Sequence, residues 1–509
     1  MRSSPRLRNV LLPALSLACA AATLSAAPAR ADGPGAPPRL DWRPCAKAEG
    51  EVTDAHGPAR ECATLSVPLD YREAGGRRLG LAVSRLRSDH PDARRGTLLL
   101  IAGGPGGSGV GMLARRGTQL RQQTHGAYDI VSLDPRGTGG SPGADCGLSP
   151  ADREITTFRP WPAADGSIGA NVATARRIAD ACARDGGPVL RSLSTVNEVR
   201  DLDRFRQALG ERRLSAYGLS YGTYVGAVYA QKYPQHTDRW VLDSNADPDP
   251  ERVERAWVAN FAVGAEDRFP DFAKWASDPA RGTDRLARTP QEVRDRFLSL
   301  ASQLDREPRR FDDTKKLLTG NALRQQMQLA LYNDEQFPGF ARLMAAAGDG
   351  GSAPLKVPDP QPKPMEQRDA AVFLGVVCND VRWPRAVPGY VRAVAVDRVA
   401  HPLTAGMPAN VMPCAFWKGG PVEKPVRITP DGPSNVLLLQ GLRDPATPYS
   451  GALKMRAAFG DRARMVTVDA GGHAMYLANG NSCGDRAVTE FLVTGKRPEQ
   501  DIACPAETR

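Results

Sequence analysis

Three residue types in a set order carry the strongest chemical signal in this chain. Gly218-Leu219-Ser220-Tyr221-Gly222 matches Gly-x-Ser-x-Gly, a pattern that seats a serine on a tight turn between strand and helix. The flanking glycines answer a steric demand, because side chains there would collide with neighbouring backbone. Leu214–Leu219 reads as a strand and Tyr221–Tyr233 as a helix, so Ser220 has the context the pattern requires. A serine hydroxyl becomes a nucleophile only beside a base, and the base needs an orienting acid. The strand Val436–Gln440 runs into Gly441-Leu442-Arg443-Asp444-Pro445, which makes Asp444 the candidate acid. The strand Met465–Val468 runs into Asp469-Ala470-Gly471-Gly472-His473, and His473 is the only histidine after Asp444. The other five, His56, His90, His125, His236 and His401, follow no late strand. Asp469 is a rival acid, disfavoured by its closeness to His473 along the chain.

Acyl transfer also needs donors for a developing oxyanion. The strand Thr97–Ala102 is followed by Gly103-Gly104-Pro105-Gly106-Gly107-Ser108-Gly109, and the N–H groups of Gly104 and Tyr221 are the candidate pair. Gly104, Gly106 and Gly109 also fit a dinucleotide fingerprint, with Asp134 as its ribose-binding acid. That reading leaves Ser220 and His473 unexplained. A phosphate loop fails, because no Lys-Ser or Lys-Thr closes the glycines.

The elements around these residues alternate. Leu79–Leu86, Thr97–Ala102, Tyr128–Leu133, Leu214–Leu219 and Arg239–Leu242 read as strands, with helices over Val110–Leu120, Val196–Leu209 and Tyr221–Tyr233. Residues 246–430 change character: they carry more charge, Trp and Pro, and look helical, as in Ala256–Phe272 and Arg294–Leu304. Alternation resumes at Asn435–Gln440, with a helix from Ser450, a strand at Arg464–Val468 and a helix over Arg486–Leu492. The pattern predicts an α/β fold, a mostly parallel sheet with helices on both faces. Its parts are a leader over 1–31, a first core part over 32–245, a helical lid over 246–430 and a second core part over 431–509.

The 509 residues are 41% apolar and 24% charged, a globular composition. Met1 to Arg8 is basic, Val10 to about Ala22 is apolar, and Ala29-Arg30-Ala31 resembles a cleavage site, which together read as an export signal. Its removal deletes Arg2, Arg6, Arg8 and Arg30 and no acid, so the net charge of +10 becomes +6. A lipid anchor on Cys19 is the lesser alternative, and no later segment is apolar and long enough to span a bilayer. Arg-rich patches lack interleaved aromatics, so no nucleic-acid partner is expected. Six His and nine scattered Cys, with no Cys-x-x-Cys, leave little material for a zinc module, and no metal or cofactor is expected. Without Cys19 an even set remains: Cys45, Cys62, Cys146, Cys182, Cys378, Cys414, Cys483 and Cys504. Sequential pairing is the simplest of the 105 possible connectivities of eight cysteines.

These residues resemble a known family. Gly103 to Gly109, Asp134-Pro135-Arg136-Gly137-Thr138-Gly139, Gly218 to Tyr224, Val377-Cys378-Asn379-Asp380, Asp444 to Pro448 and Gly471-Gly472-His473 are similar to the secreted tripeptidyl aminopeptidases of actinomycetes, α/β-hydrolases related to proline iminopeptidases. The resemblance spans roughly residues 40–505 and implies Ser220, Asp444 and His473 as a triad. It also implies release of short peptides, often tripeptides, from free N-termini of peptides or proteins. Ala102 stands where iminopeptidases usually carry His, which favours the tripeptidyl branch over an iminopeptidase-like enzyme. Recognising an ammonium group needs a carboxylate facing the nucleophile. Asp380, beside Cys378, is the first candidate, with Glu266 and Asp267 as alternatives. The alternative function is a secreted carboxylesterase or lipase, since the same triad serves both chemistries. The oligomeric state is open, with a monomer the default expectation.

Overall fold

The computed structural model describes residues 39–507 apart from 55, 56, 74, 350 and 352. The expected leader over 1–31, with Cys19, lies outside the described residues. Among the described residues, seven strands precede the long central segment: β1 Arg43–Pro44, β2 Glu61–Pro68, β3 Arg78–Leu86, β4 Gly96–Ile101, β5 Tyr128–Leu133, β6 Leu214–Leu219 and β7 Thr237–Asp243. A two-stranded hairpin, β8 Arg309–Arg310 and β9 Leu317–Leu318, stands alone within that segment, where the sequence shows no strand rhythm. Three strands follow: β10 Val436–Arg443, β11 Ala463–Gly471 and β12 Ile502–Cys504.

Ten of these strands form one sheet in the order β1-β2-β3-β5-β4-β6-β7-β10-β11-β12. The pairs β1/β2, β2/β3 and β3/β5 are antiparallel, and all others are parallel. The central strands are continuous apolar runs, Leu98–Ile101 in β4 and Val436–Leu439 in β10, because both faces are covered. Alternate residues divide between two cores. Leu98, Leu100, Tyr217, Val241, Leu437 and Leu439 pack on one face, and Leu99, Ile101, Ala216, Leu242, Val436 and Leu438 on the other. The helix Tyr221–Lys232 is buried along its first ten residues and so carries no polar stripe. Its neighbours begin on side-chain caps: Ser108 accepts from Gly111 N, Ser194 from Asn197 N and Asn481 from Gly484 N.

β10 pairs directly with β7, Val436 opposite Trp240, so residues 244–435 leave the sheet and return to the adjacent position. Part of this segment has its own core, built on Phe269, Phe272, Phe297, Phe337 and Phe340, with the Phe272 and Phe340 ring centroids 4.9 Å apart. Another part does not stand apart: the helix Gln367–Asp380 buries Ala370, Ala371, Val372 and Leu374 in the core beside the sheet. Among the described residues four disulfides join Cys45–Cys62, Cys146–Cys182, Cys378–Cys414 and Cys483–Cys504, the sequential pairing.

Candidate active site

Ser220 closes β6 and opens the next helix with φ 59° and ψ −124°. A non-glycine residue pays roughly 1–3 kcal/mol for such backbone and holds it only where the surroundings enforce it. They do so here. The Ser220 N–H donates to Asp243 O at 3.0 Å, and its carbonyl accepts from Thr223 N at 2.8 Å and Thr223 Oγ1 at 2.6 Å. A Cβ on Gly222 would lie 2.3 Å from Ile101 O, and one on Gly218 would lie 2.6 Å from Gly222 O. Both positions exclude any side chain, which is the physical content of the Gly-x-Ser-x-Gly pattern.

The histidine loop is pinned to the same strand end. The carboxylate of Asp243, the last residue of β7, accepts from Met475 N at 3.0 Å and Tyr476 N at 2.9 Å, and from Tyr217 Oη at 2.7 Å. The neighbouring Ser244 Oγ accepts from Ala474 N at 3.0 Å. Ser220 and His473 therefore share one anchor, Asp243–Ser244, which sequence reasoning missed. Burial pushes the Asp243 carboxyl up against the pull of these donors.

His473 Nδ1 lies 2.9 Å from Asp444 Oδ2 and 3.0 Å from Oδ1. Asp444 is fully buried, and its oxygens also accept from Ala446 N at 2.9 Å, Thr447 N at 2.8 Å and Thr447 Oγ1 at 3.0 Å. Burial pushes its carboxyl up, but the His473 charge and these donors outweigh it and hold it below its ordinary range. Burial likewise lowers the imidazole, and the Asp444 charge prevails and raises it. An ionised acid facing Nδ1 fixes the proton there and leaves the Nε2 lone pair free to take another. The rival, Asp469, meets Arg443 Nη1 at 2.6 Å instead. Tyr332, from the long central segment, accepts from His473 N at 2.9 Å and sets its ring edge-on to the imidazole, centroids 5.2 Å apart. No pattern in the sequence marks Tyr332.

A cavity of about 120 Å³ lies over Ser220. Gly104, Ser220 and Tyr221 line one side of it, with Gly104 at φ 123°. The first N–H groups of a helix have no partner within it, so Tyr221 N is a ready donor. The Tyr221 hydroxyl is held by Glu198 at 3.0 Å and Thr195 Oγ1 at 2.9 Å. Phe158, Trp257, Phe261, Phe373 and Met407 make the other walls apolar, and among the described residues Arg159 is the one charged side chain in the lining. None of these five, nor Arg159, carries a signal in the sequence.

The acids considered for an ammonium group are placed elsewhere. Both oxygens of Asp380 accept from Thr195 N, at 3.0 and 3.1 Å, capping a helix start behind Tyr221. Glu266 pairs with Arg294 at 2.8 Å, and Asp267 is raised by burial and by the Glu266 charge. None of the three lines the cavity over Ser220. Asp134, the ribose-binding acid of the dinucleotide reading, instead takes Ser108 Oγ, Val110 N and Gly140 N at 2.6–3.0 Å and braces the glycine-rich turn.

The family model for TAP-like proteins matches residues 402–504, the stretch that holds Asp444 and His473. The tripeptidyl aminopeptidase of Streptomyces lividans is 31% identical over 481 residues, covering 91% of this chain and 86% of that protein. The chain belongs to the tripeptidyl aminopeptidase family. It is also similar to serine protease Hip1 of Mycobacterium tuberculosis, 27% identical with 91% of each chain covered. Carboxylesterase B of the same organism is 29% identical, with 94% of this chain and 92% of that one covered. Among solved structures, proline iminopeptidase of Mycobacterium smegmatis matches with a TM-score of 0.36 at 16% identity, over 84% of this chain and 97% of that one. A member of this family with an α/β-hydrolase fold is a serine hydrolase.

Proposed function

We propose that the protein is an exported exopeptidase that releases short peptides, tripeptides foremost, from free N-termini. Ser220 is the nucleophile, His473 the base, Asp444 the orienting acid, and the Gly104 and Tyr221 N–H groups hold the oxyanion. The observation that carries this reading is the buried Asp444–His473 pair, pinned through Asp243–Ser244 to the turn that presents Ser220. Ser220 Oγ attacks the scissile carbonyl as His473 Nε2 takes its proton. The imidazolium, steadied by Asp444, returns the proton to the leaving amine, and water then releases the acyl group by the same steps in reverse. Residues 246–430 act as the lid that shapes the cavity. An ammonium bound by Asp380 or Glu266 would sit outside the cavity over Ser220, which fits release of a short peptide better than of a single residue. Four disulfides suit an oxidising compartment, and among the described residues no helix is long and apolar enough to cross a membrane.

The test compares three chromogenic substrates: a free tripeptide, its N-acetyl form and a short-chain ester. The expected result is fast cleavage of the free tripeptide and slow cleavage of the acetylated one, with that preference reduced in Asp380→Asn or Glu266→Gln. Cleavage of the ester alone would favour the second reading, a carboxylesterase, which the likeness to Carboxylesterase B supports.

A further inference from the structure

Arg159 follows the short helix Ile155–Phe158 and enters the wall of the cavity over Ser220. Its guanidinium carbon lies 4.6 Å from the centre of the Phe261 ring. One N–H group, on Nη1, donates to Gln328 Oε1 at 3.1 Å. Gln328 is itself buried, 3% exposed, and its Nε2 has no partner among the described residues. No described carboxylate forms an ion pair with Arg159, and none of its other N–H groups is sealed from solvent without a partner. The rest of the wall is Phe158, Trp257, Phe261, Phe373 and Met407.

A partly buried cation stacked on an aromatic ring at the wall of an apolar cavity, with one neutral acceptor, keeps donors that an anion in the cavity can take. A guanidinium offers carboxylates two parallel donors in a fixed plane, which an ammonium cannot copy. The buried amide of Gln328 holds that plane on one side. The cavity is also large enough: about 120 Å³, where a single water needs roughly 10–15 Å³.

We infer that Arg159, braced by Gln328 and Phe261, is a specificity residue that binds a substrate carboxylate beside the scissile bond. The inference rests on the serine-peptidase reading of this cavity. The carboxylate comes from one of two sources: an acidic side chain on the residue that supplies the scissile carbonyl, or the C-terminus of a short leaving segment. A Lys or Arg side chain at the same place meets a like charge and is disfavoured.

Two substrate pairs separate the sources. The first is a free tripeptide chromogen with Glu or Gln at the acyl position. The second is a short peptide with a free or an amidated C-terminus. Wild-type kcat/KM is expected to favour the carboxylate member of one pair by roughly ten-fold or more, the scale of a hydrogen bond to a charged group. Arg159→Met brings that ratio close to one, and Arg159→Lys restores part of it. Labelling of Ser220 by a fluorophosphonate probe reports that each variant keeps its site. If Arg159→Met does not fold, the wild-type ratio and the Lys variant decide. No preference in either wild-type pair, or one that persists in Arg159→Met, overturns the inference. Should the enzyme cleave only esters, the peptidase reading falls, and aryl esters with a glutamyl or glutaminyl acyl group apply the same test to Arg159.

Discussion

Replacing Asp444 by Asn separates the acid's chemical role from its structural one. Every partner of the carboxylate is a donor: Ala446 N, Thr447 N, Thr447 Oγ1 and His473 Nδ1. An amide of the same shape keeps its oxygen on the two backbone N–H groups, and the Thr447 hydroxyl can turn to accept. The remaining amide hydrogen then faces Nδ1, so the imidazole must carry its proton on Nε2, where it cannot take one from Ser220. The fold exchanges charge-assisted bonds for neutral ones at about 1 kcal/mol. The rate falls by about 10⁴, or ~5.5 kcal/mol of barrier, the loss expected when a triad holds the wrong tautomer. The assay is kcat/KM on the best chromogenic substrate, with thermal unfolding alongside. In the wild type the base must be neutral, and the Asp444 charge raises His473 above its usual 6.5, so activity is lost as pH falls through a value above 6.5. In Asp444→Asn the acid limb moves to lower pH while the plateau drops. A loss under about 100-fold with the limb unmoved would refute the reasoning. So would Asp469→Asn giving the large loss, since its exposed pair with Arg443 is worth under about 1 kcal/mol.

Two further outcomes follow from buried groups outside the triad. Burial pushes the Glu198 carboxyl up to about 8 from an ordinary 4.5, against the hydrogen bond from Tyr221. The folded chain thus holds a proton that the unfolded chain releases, and the stability this contributes is lost as pH rises from 4.5 to about 8. Glu198→Gln should flatten that slope and be more stable than wild type at pH 9, measured by urea unfolding at pH 5 and pH 9; identical pH slopes would contradict it. The Cys378–Cys414 bridge closes a loop with a sequence separation of 36, so Cys378→Ser with Cys414→Ser should cost about 4 kcal/mol. A loss below 1 kcal/mol in denaturant unfolding would show that the unfolded chain is not restrained in this way.

The core strands were legible because both faces of the sheet are covered and their sequences are unbroken apolar runs. β4, β5, β6 and β10 lie within a residue or two of their expected ends at the start of each strand. Five strands escaped notice: β1, β8, β9 and β12 because they are only two or three residues long, and β2 because Glu61 and Thr64 break up the apolar character of its start. Ser220, Asp444 and His473 stand just past strand ends, where local sequence is informative. The cavity walls do not: Phe158, Trp257, Tyr332, Phe373 and Met407 meet through packing between distant segments, and nothing local marks them. Nothing in the sequence places Asp380 outside the cavity wall, where its carboxylate accepts from Thr195 N behind Tyr221. His236, just after the helix Tyr221–Lys232, is partly buried, its Nδ1 2.8 Å from Asp203 Oδ1. Adjacency along the chain says little about which way a side chain turns.

The pairing of β7 with β10 across residues 244–435 bears on the order in which the molecule is completed. Until Val436 has been made, β7 is an unpaired edge, and its closure is a contact of long range and therefore slow. Ser220 and Asp243 belong to the half that comes first, while Asp444 and His473 arrive only with the final strands. A chain interrupted before β10 would carry a poised hydroxyl and no base. On the proposed triad, hydrolytic capacity is completed only with the last strands of the sheet.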